Sequence, residues 1–467
     1  MATRRQRALR RAVASTLLVG WIFFHWTALV SFPVSAQGFE RETIRLVLAH
    51  YMVCCGRFGH QAGISEYESE MADASRLGID GFLLDLASWR AEPYYRTVTE
   101  NLFLAAERSG TNFKLALLIE GLSVDEAVEA VSAFFSKSSY LYFHQRPVVA
   151  TYGGDGHWGD LLTGRLHALG IDIFFVPFYY YGHADFAAKL DPDGIDVYDA
   201  KLALRDAPNI DGYFYFGAGG PPKRLAKDMG LVTELMHRAK KISVVGIAPF
   251  YKGFGPKNSR IFESNGFLGM QSQWLSAISA RADWVNIVTW NDWGEATYVA
   301  PLSGPVDAIW NSHWGNLLAH EKFLEASRYY IDWFKTGIEP ELKRDAIYYF
   351  YRVHPKTSMG LIQPSIDQTT TGRPFGWENL NDEIFFTSFL VRPLTLQIEN
   401  GGHSYILELP KGVSTKSVPM SLGTIEIHLK SERIELTTKK LEFAIGDDGT
   451  SGNFNYFSGG LSLDPSP

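Results

Sequence analysis

The sequence predicts a (β/α)8 TIM barrel followed by a C-terminal all-β sandwich, an α/β fold class with two parts. Apolar, β-branched runs alternate with helical patterns eight times between residue 44 and residue 334. From Asp382 onward, short alternating runs follow one another with no helix between them. Near-continuous apolar strands separated by helices are typical of a parallel sheet covered by helices. Eight such units in about 300 residues favour a closed barrel over an open, doubly wound sheet.

The eight predicted barrel strands share an apolar, β-rich composition. They are Ile44–His50, Gly81–Leu86, Lys114–Glu120, Pro147–Tyr152, Ile173–Phe178, Gly212–Gly217, Ser243–Phe250 and Trp284–Trp290. The helical segments are Ser65–Leu77, Tyr94–Ser109, Val124–Phe135, Asp160–Leu169, Lys223–Lys240, Gly266–Ala282 and His313–Phe334. No phosphate-binding glycine motif opens the first helix, which argues against a dinucleotide-binding fold.

The C-terminal strands are predicted between turn signals rich in glycine, asparagine and aspartate. They are Glu383–Leu390, Leu394–Glu399, Tyr405–Leu409, Thr424–Leu429, Ile434–Thr438 and Phe454–Phe457. A helical stretch is expected from Tyr329 to about Arg352. The predicted domains are therefore a barrel over 40–352, a linker over 353–381 and a sandwich over 382–467.

The first 36 residues are expected to be an export signal rather than part of the fold. Five arginines up to Arg11 precede a mostly apolar stretch, Val13–Val30, and Val34-Ser35-Ala36 forms a small-residue cleavage site before Gln37. We therefore expect a secreted or periplasmic protein. The apolar stretch is long enough that an uncleaved membrane anchor is the alternative, and stable membrane association is expected only in that case.

Composition excludes some classes of partner. The net charge is −7 with both signs interspersed, so nucleic-acid binding is not expected. Cys54 and Cys55 are adjacent and are the only cysteines, so they allow neither a disulfide framework nor a metal-ligand spacing. They form either a vicinal disulfide or two reduced thiols, and the backbone distortion of that ring favours the thiols. We expect a monomer without metal or cofactor.

The segment Ile287–Ala296 carries the strongest chemical signal. A buried strand ends there in two carboxylates, Asp292 and Glu295, among the indole rings of Trp290 and Trp293. Glycoside hydrolysis needs such a pair, because one carboxyl group protonates the leaving oxygen while the other activates water or attacks the sugar. Flat aromatic rings hold sugar rings. The alternative is a strand end with solvated surface charges.

Further polar and aromatic side chains follow the other predicted strands, at the barrel face where active sites lie. With the strand-eight segment, the candidate substrate-binding residues are His50, Tyr51, Asp85, Trp89, Glu120, Tyr152, Tyr251, Trp290, Asn291 and Trp293. His50 could instead be a core histidine, and the run Tyr179–Tyr181 is either loop packing or a binding platform. No Gly-x-Ser-x-Gly motif is present, so acyl transfer has no nucleophile.

Four stretches make the chain resemble glycoside hydrolase family 71, the α-1,3-glucanases or mutanases. They are Val47–Val53, Gly78–Phe82, Val288–Glu295 and Tyr330–Gly337, and Tyr348–Pro355 follows the last of them. The likeness covers nearly all of residues 44–460, since the family also carries a C-terminal β-sandwich. The Asn291–Glu295 motif is fairly specific, and in combination with the other stretches it is strong.

The resemblance implies a secreted, endo-acting hydrolase that cleaves α-1,3-glucan with inversion, so the expected partner is a polysaccharide. It implies that Asp292 and Glu295 are the catalytic pair. Endo-α-mannosidases have a similar arrangement, and by that analogy Glu295 is the general acid and Asp292 the general base. The acid must stay protonated at working pH, and Trp290 and Trp293 are expected to form the apolar wall that raises its pKa.

The chain departs from the fungal members of that family at two positions near the expected cleft. Cys54-Cys55 stands where small or polar residues are usual, and Asp85 stands where asparagine is usual. Two alternatives therefore remain open. The enzyme could cleave another α-linked glycan, such as α-mannan or a bacterial exopolysaccharide, or the protein could bind carbohydrate without turnover.

Overall fold

The computed structural model describes residues 44–181, 195–253, 258–302, 309–310, 317–358, 373–432, 434–447 and 453–463. The predicted export signal, residues 1–36, lies outside the described residues. All of the described residues belong to one compact unit that begins at Ile44. None of the helices in these ranges is long and apolar enough to cross a membrane. The protein is of the mixed α/β class.

A curled sheet of eight parallel strands forms the first half of the fold. The strands and short hairpins up to residue 287 are β1 (Leu46–Met52), β2 (Gly81–Leu86), β3 (Lys114–Glu120), β4 (Tyr142–Phe143), β5 (Arg146–Tyr152), β6 (Phe174–Phe178), β7 (Gly212–Tyr215), β8 (Ile242–Ile247), β9 (Tyr251–Lys252), β10 (Ile261–Phe262) and β11 (Trp284–Ile287). The parallel strands follow the order β6-β5-β3-β2-β1-β11-β8-β7. All eight predicted barrel strands are present, and two of them, β2 and β3, have the predicted bounds.

The two end strands of this sheet approach each other. Asp211, which directly precedes β7, donates from its backbone nitrogen to the Phe175 carbonyl of β6 at 2.9 Å. The Asp211 side chain accepts from the Phe175 nitrogen at 2.9 Å in return. The sheet therefore curls far enough to bring its first and last strands into contact.

Helices alternate with these strands. They are α1 (Ile64–Arg76), α2 (Tyr94–Arg108), α3 (Val124–Phe134), α4 (Gly156–Ala168), α5 (Ile195–Asp206), α6 (Pro222–Arg238), α7 (Leu268–Ala280) and α8 (Glu321–Thr336). α3 shows why such segments begin where they do, because Ser123 and Glu126 form a reciprocal capping box. α5 was not among the predicted helices. α8 begins at Glu321 rather than at His313.

The second half of the described chain consists of two antiparallel sheets of four strands. Their strands are β12 (Asp345–Arg352), β13 (Glu383–Leu390), β14 (Leu394–Asn400), β15 (His403–Leu409), β16 (Gly412–Pro419), β17 (Ile425–Ser431), β18 (Ile434–Lys440) and β19 (Tyr456–Leu463). The orders are β16-β13-β12-β19 and β15-β14-β17-β18. Alternate residues of both sheets, such as Ile347, Phe386, Leu396 and Ile427, are buried in a shared core.

Strand β12 corrects the prediction of a helical stretch from Tyr329 to about Arg352. The helix ends at Thr336, and Gly337 follows it with a φ of 73°, a left-handed conformation that suits glycine. Residues Asp345–Arg352 then pair with β13 on one side and β19 on the other. The all-β part of the chain thus includes a strand that precedes the predicted boundary at residue 382. β16 was also not predicted.

Buried polar contacts join the two halves. The ring nitrogens of His320 lie 3.1 Å from the Tyr298 carbonyl and 3.0 Å from the Tyr456 carbonyl. Arg352 belongs to β12, an inner strand of its sheet, and its Nη1 donates to Glu263 Oε2 at 3.0 Å. Tyr456 donates to the same carboxylate. Since Glu263 directly follows β10, these bonds fix the β9–β10 hairpin against the second half of the protein.

Candidate active site

Asp292 and Glu295 lie in a tight loop after β11. The Asp292 backbone nitrogen donates to Thr289 Oγ1 at 2.8 Å, and the Glu295 nitrogen donates to Asp292 Oδ1 at 2.9 Å. Thr289 Oγ1 in turn lies 3.1 Å from Thr297 Oγ1, on the chain that leaves the loop. The loop is therefore closed by its own hydrogen bonds. Both carboxylates are half-buried rather than solvated.

Asn291 fastens this loop to strand β1. Its Oδ1 accepts from the Met52 nitrogen at 2.7 Å, and its Nδ2 donates to the Met52 carbonyl at 3.0 Å. The Trp290 nitrogen also donates to the His50 carbonyl at 2.7 Å. Asn291 was predicted to bind substrate. Because it is fully buried and both ends of its amide are engaged by backbone, the structure places it as a support of the loop.

The Glu295 carboxylate is held by two donors from the segment that follows β8. Tyr251 Oη donates to Glu295 Oε1 at 2.7 Å, and Asn258 Nδ2 donates to the same oxygen at 2.9 Å. Arg260 lies over the Tyr251 ring, 5.6 Å from its centre. Tyr251 was predicted for this site. Asn258 and Arg260 were not, because they lie in an aperiodic polar stretch that carries no motif.

Two more carboxylates, Asp85 and Glu120, complete the cluster. Both end predicted strands, and Asp85 is buried with its Oδ2 2.8 Å from His50 Nε2. Burial raises the pKa of Glu120 to about 8, and the negative charges of Asp85, Asp292 and Glu295 act in the same direction. The structure thus brings together the predicted His50, Asp85 and Glu120 with the strand-eight pair.

The pKa values of Asp292 and Glu295 are both raised. Burial is the largest cause for each, and for Asp292 the charge of Glu295 comes next. Backbone amides oppose the shift at Asp292, and the hydrogen bonds from Tyr251 and Asn258 oppose it at Glu295. Two neighbouring carboxylates in a partly desolvated site do not both ionise readily, so the pair can hold one proton. A protonated and an ionised carboxyl group side by side are able to serve as an acid and a base.

Tyr152 also reaches this cluster. It is half-buried at the end of β5, with the rings of Phe178 and Phe216 5.3 Å and 4.8 Å away. Burial raises its pKa, and so does the negative charge of Glu295. Its hydroxyl therefore stays protonated and lies within electrostatic range of the candidate acid and base.

Tyr51 and Trp290 were predicted to face the cleft, and the structure places them on the other side of the sheet. Both are buried against α1, where Glu70 accepts from Tyr51 Oη at 3.4 Å and from Trp290 Nε1 at 2.8 Å. Neighbouring residues of a strand point to opposite faces, so His50 can face the cleft only if Tyr51 faces the helices. The prediction that these rings stack on sugar is wrong.

Trp293 and Trp89 are likewise buried in the protein and do not line the cleft. Trp293 is 2% exposed, donates from Nε1 to the Cys55 carbonyl at 2.8 Å and lies 4.8 Å from the Tyr298 ring. Trp89 is buried edge-on against Phe134. Neither ring offers a face to a ligand, contrary to the expectation. The desolvation of the two carboxylates thus comes from their whole surroundings and not from flanking indole faces.

Cys54 and Cys55 form a disulfide, so the favoured prediction of two reduced thiols is wrong. The pair follows β1 in a single 3-10 turn, directly before the Gly56 carbonyl that accepts from Trp310 Nε1 at 3.0 Å. Within the described ranges, no three His, Cys, Asp or Glu side chains meet in a geometry that could hold a metal ion.

Comparisons with known proteins identify the family of the chain. A model of Glycosyl hydrolase family 71 matches residues 43–464. A mutanase of Penicillium rubens is 24% identical over 449 residues, covering 92% of each chain. A glucan endo-1,3-alpha-glucosidase of Schizosaccharomyces pombe is 24% identical over 404 residues, covering 80% of this chain and 85% of its own.

Among solved structures, a GH99 endo-alpha-mannosidase from Bacteroides thetaiotaomicron is 14% identical, with a TM-score of 0.46, and the match covers 62% of this chain and 97% of that one. That likeness is too distant to assign any residue. The family match, by contrast, includes nearly the whole chain and every carboxylate of the cluster. The chain therefore belongs to glycosyl hydrolase family 71 and is a glycoside hydrolase.

Proposed function

We propose that the protein is an exported, endo-acting hydrolase that cleaves α-1,3-glucan and inverts the anomeric configuration through Asp292 and Glu295. The observation that carries this proposal is the pair itself: two half-buried carboxylates with raised pKa values, on one hydrogen-bonded loop. The names of the relatives, a mutanase and a glucan endo-1,3-alpha-glucosidase, supply the substrate.

In this mechanism Glu295 is the general acid and Asp292 the general base. The glycosidic oxygen takes a proton from Glu295 as its bond to the anomeric carbon breaks. A water attacks that carbon from the opposite face, and Asp292 takes the proton of the water. The assignment of the two roles follows the resemblance stated above, because hydrogen bonds favour the ionised form of both groups: the Glu295 amide donates to Asp292, and Tyr251 and Asn258 donate to Glu295 Oε1.

The remaining cluster residues are proposed as substrate contacts. His50, Asp85, Glu120 and Tyr152 lie around the pair, together with Tyr251 on Glu295. At neutral pH the protonated Glu120 can donate a hydrogen bond to a sugar hydroxyl, which an ionised carboxylate cannot do. These residues supply both donors and acceptors for the hydroxyl groups of a glycan.

We also propose the finer architecture. The Asp211–Phe175 contact supports closure of the curled sheet into a (β/α)8 barrel, with the site at the carboxyl ends of its strands. The shared core of the two antiparallel sheets supports a β-sandwich. Of the predicted boundaries at 352 and 382, we propose to move the first to before Asp345, because β12 pairs with β13 and β19. A monomer and removal of the segment before Gln37 remain predictions. N-terminal sequencing of the protein from culture fluid tests that last point.

The decisive test is incubation of the purified protein with insoluble α-1,3-glucan in the presence of a chelator. We expect new reducing ends, products longer than a disaccharide at early times and, by NMR, β-anomers before mutarotation. Asp292→Asn and Glu295→Gln serve as inactive controls. Absence of reducing ends refutes the substrate, α-anomers refute inversion, and loss of activity with chelator refutes metal independence.

A second candidate function is hydrolysis of another α-linked glycan. Asp85, an acid where the fungal family usually has asparagine, supports it, because this residue pairs with His50 inside the cluster. A panel of α-mannan, bacterial exopolysaccharides and α-1,3-glucan separates the two functions by rate. Binding without turnover is the outcome if Asp292→Asn and Glu295→Gln behave like the native protein towards every glycan.

A further inference from the structure

Phe375 is a large aromatic side chain that the structure leaves 68% exposed. It lies in the segment that the sequence predicts as a mere linker, residues 353–381. We propose that Phe375 forms a sugar-stacking subsite beside Glu295, so that the described end of this segment, residues 373–381, supplies part of the cleft. The proposal deepens the proposed function, because it names a surface that binds the polysaccharide beyond the reacting bond.

The position of Phe375 is fixed by backbone pairing. Its nitrogen donates to the Ser259 carbonyl at 2.9 Å, and its carbonyl accepts from the Ile261 nitrogen at 2.9 Å. The next residue, Gly376, has a φ of 93°, and a Cβ there would lie 2.6 Å from the Ile261 carbonyl oxygen. Glycine is therefore required for this close approach, and Phe375 is held by a single β-bridge beside the β9–β10 hairpin.

That hairpin is the one that holds the candidate acid. Asn258, one residue before Ser259, donates to Glu295 Oε1 at 2.9 Å. Arg260 is the bridge partner of Phe375 and reaches back over the Tyr251 ring at 5.6 Å. Phe375 therefore pairs directly with Arg260, which lies over the ring of Tyr251, and Tyr251 donates to Glu295.

A second exposed ring lies near the same arginine. Tyr180 is 43% exposed. Its pKa is raised, mainly by partial burial; the charge of Arg260 opposes this shift and the charge of Glu295 adds to it. Phe375 is thus the backbone partner of Arg260, and Tyr180 lies within electrostatic range of both Arg260 and Glu295. Since sugar rings offer apolar C–H faces and hydroxyl edges, exposed aromatic rings near a guanidinium suit a glycan chain.

The chain on both sides of Phe375 is also held in place. Arg373 stacks over the Trp377 ring at 4.4 Å, so the residues on both sides of Phe375 are anchored to each other. Because the backbone around the ring is already held, less of the chain has to be ordered when a sugar binds, which favours affinity.

The test compares Phe375→Ala and Phe375→Tyr with Ile406→Ala, a control that removes an equally exposed apolar side chain (66%) from β15. On α-1,3-gluco-oligosaccharides of increasing length, Phe375→Ala should raise KM, by about five- to tenfold for the longest. Phe375→Tyr should restore the native KM because it keeps the ring, and Ile406→Ala should change nothing.

An equal KM for Phe375→Ala and native protein at every length overturns the subsite. A fall in melting temperature with no length dependence of KM also overturns it, since Phe375 would then be a packing residue. If the native protein releases no reducing ends from α-1,3-glucan, the proposed function fails by itself. The subsite is then judged by affinity of Asp292→Asn, with and without Phe375→Ala, for the glycan panel: equal affinities overturn it.

Discussion

Tyr251 Oη donates a 2.7 Å hydrogen bond to Glu295 Oε1 across 44 positions of the sequence. The two residues meet because β8 and β11 are neighbours in the sheet, so the chain segments that follow them leave from adjacent points. The same oxygen accepts from Asn258 at 2.9 Å. Hydrogen bonds to an ionised carboxylate stabilise that form, so these two donors hold down a pKa that burial raises.

Tyr251→Phe should therefore make Glu295 a weaker acid. Without the phenol, the pKa of Glu295 rises further, and the alkaline limb of the pH profile of kcat/KM should move up by about one unit. We expect a loss of activity at the optimum of about tenfold, as for other hydrogen bonds to charged groups. Tyr142→Phe, which changes a half-exposed phenol bonded to the Phe135 carbonyl, is the control. An unmoved alkaline limb would contradict the prediction.

Glu295→Gln and Asp292→Asn should separate the acid from the base. Each should reduce the rate on glucan by about 10²- to 10⁴-fold. Glu295→Gln should also lose the alkaline limb and retain activity on substrates whose leaving group needs no proton. Asp292→Asn should lose the acidic limb and show no such rescue. Rescue in Asp292→Asn alone would reverse the two roles, and rescue in neither would implicate Glu120 or Asp85.

Asn291→Asp tests the clamp between the loop and β1. The carboxylate can still accept from the Met52 nitrogen, but it cannot donate to the Met52 carbonyl and faces that oxygen with a negative charge. We expect a loss of about 2 kcal/mol in the free energy of unfolding, measured by denaturant titration. Asn209→Asp, an exposed control, should change stability little. Native stability in Asn291→Asp would show that the clamp is dispensable.

Glu70→Gln should remove a pH dependence of stability. Burial raises the pKa of Glu70 from 4.5 to about 7. Between these values the folded state binds more protons than the unfolded state, so this carboxyl makes stability fall as pH rises from about 4.5 to 7, by about 3 kcal/mol in all. Glutamine does not titrate and can still accept from Trp290 Nε1.

The measurement is the unfolding free energy of native protein and Glu70→Gln at pH 5 and pH 7. The difference between them should grow in favour of the variant at the higher pH. Glu68→Gln, on the same helix but paired with Arg108 near the surface, is the control and should follow the native protein. A constant difference at both pH values would show that Glu70 titrates as an ordinary carboxyl.

Local pattern was sufficient for much of the fold. Strands Gly81–Leu86 and Lys114–Glu120 have their predicted bounds, because each is a short apolar run between turn residues. The strand-eight motif indicated Asp292 and Glu295, because two carboxylates beside indole rings after a buried strand are typical of a glycosidase site. The strand ends marked His50, Asp85, Glu120 and Tyr152, which follow from where parallel strands leave a sheet.

Sidedness and long-range pairing were decided only by the tertiary structure. Tyr51 and Trp290 were both predicted to face the cleft. The strand pleat turns Tyr51 towards Glu70 once His50 faces the site, and Trp290, in the loop after β11, donates to the same carboxylate. Asp345–Arg352 is rich in aromatic residues that suit a strand, yet it follows a helix closely and was predicted as part of it. The pairing with β13 and β19 on both sides decides that it is a strand.

The sequence by itself therefore determined the eight parallel strands, the family and the candidate carboxylate pair, because each depends on residues that are contiguous in the chain. The tertiary structure decided which side chains support that pair. Tyr251 and Asn258 reach Glu295 from the chain after β8, with Arg260 over the Tyr251 ring, and no local period encodes that meeting. The physical reason is that hydrophobic periodicity acts over one turn or one strand, whereas contacts between loops depend on how the whole sheet is paired.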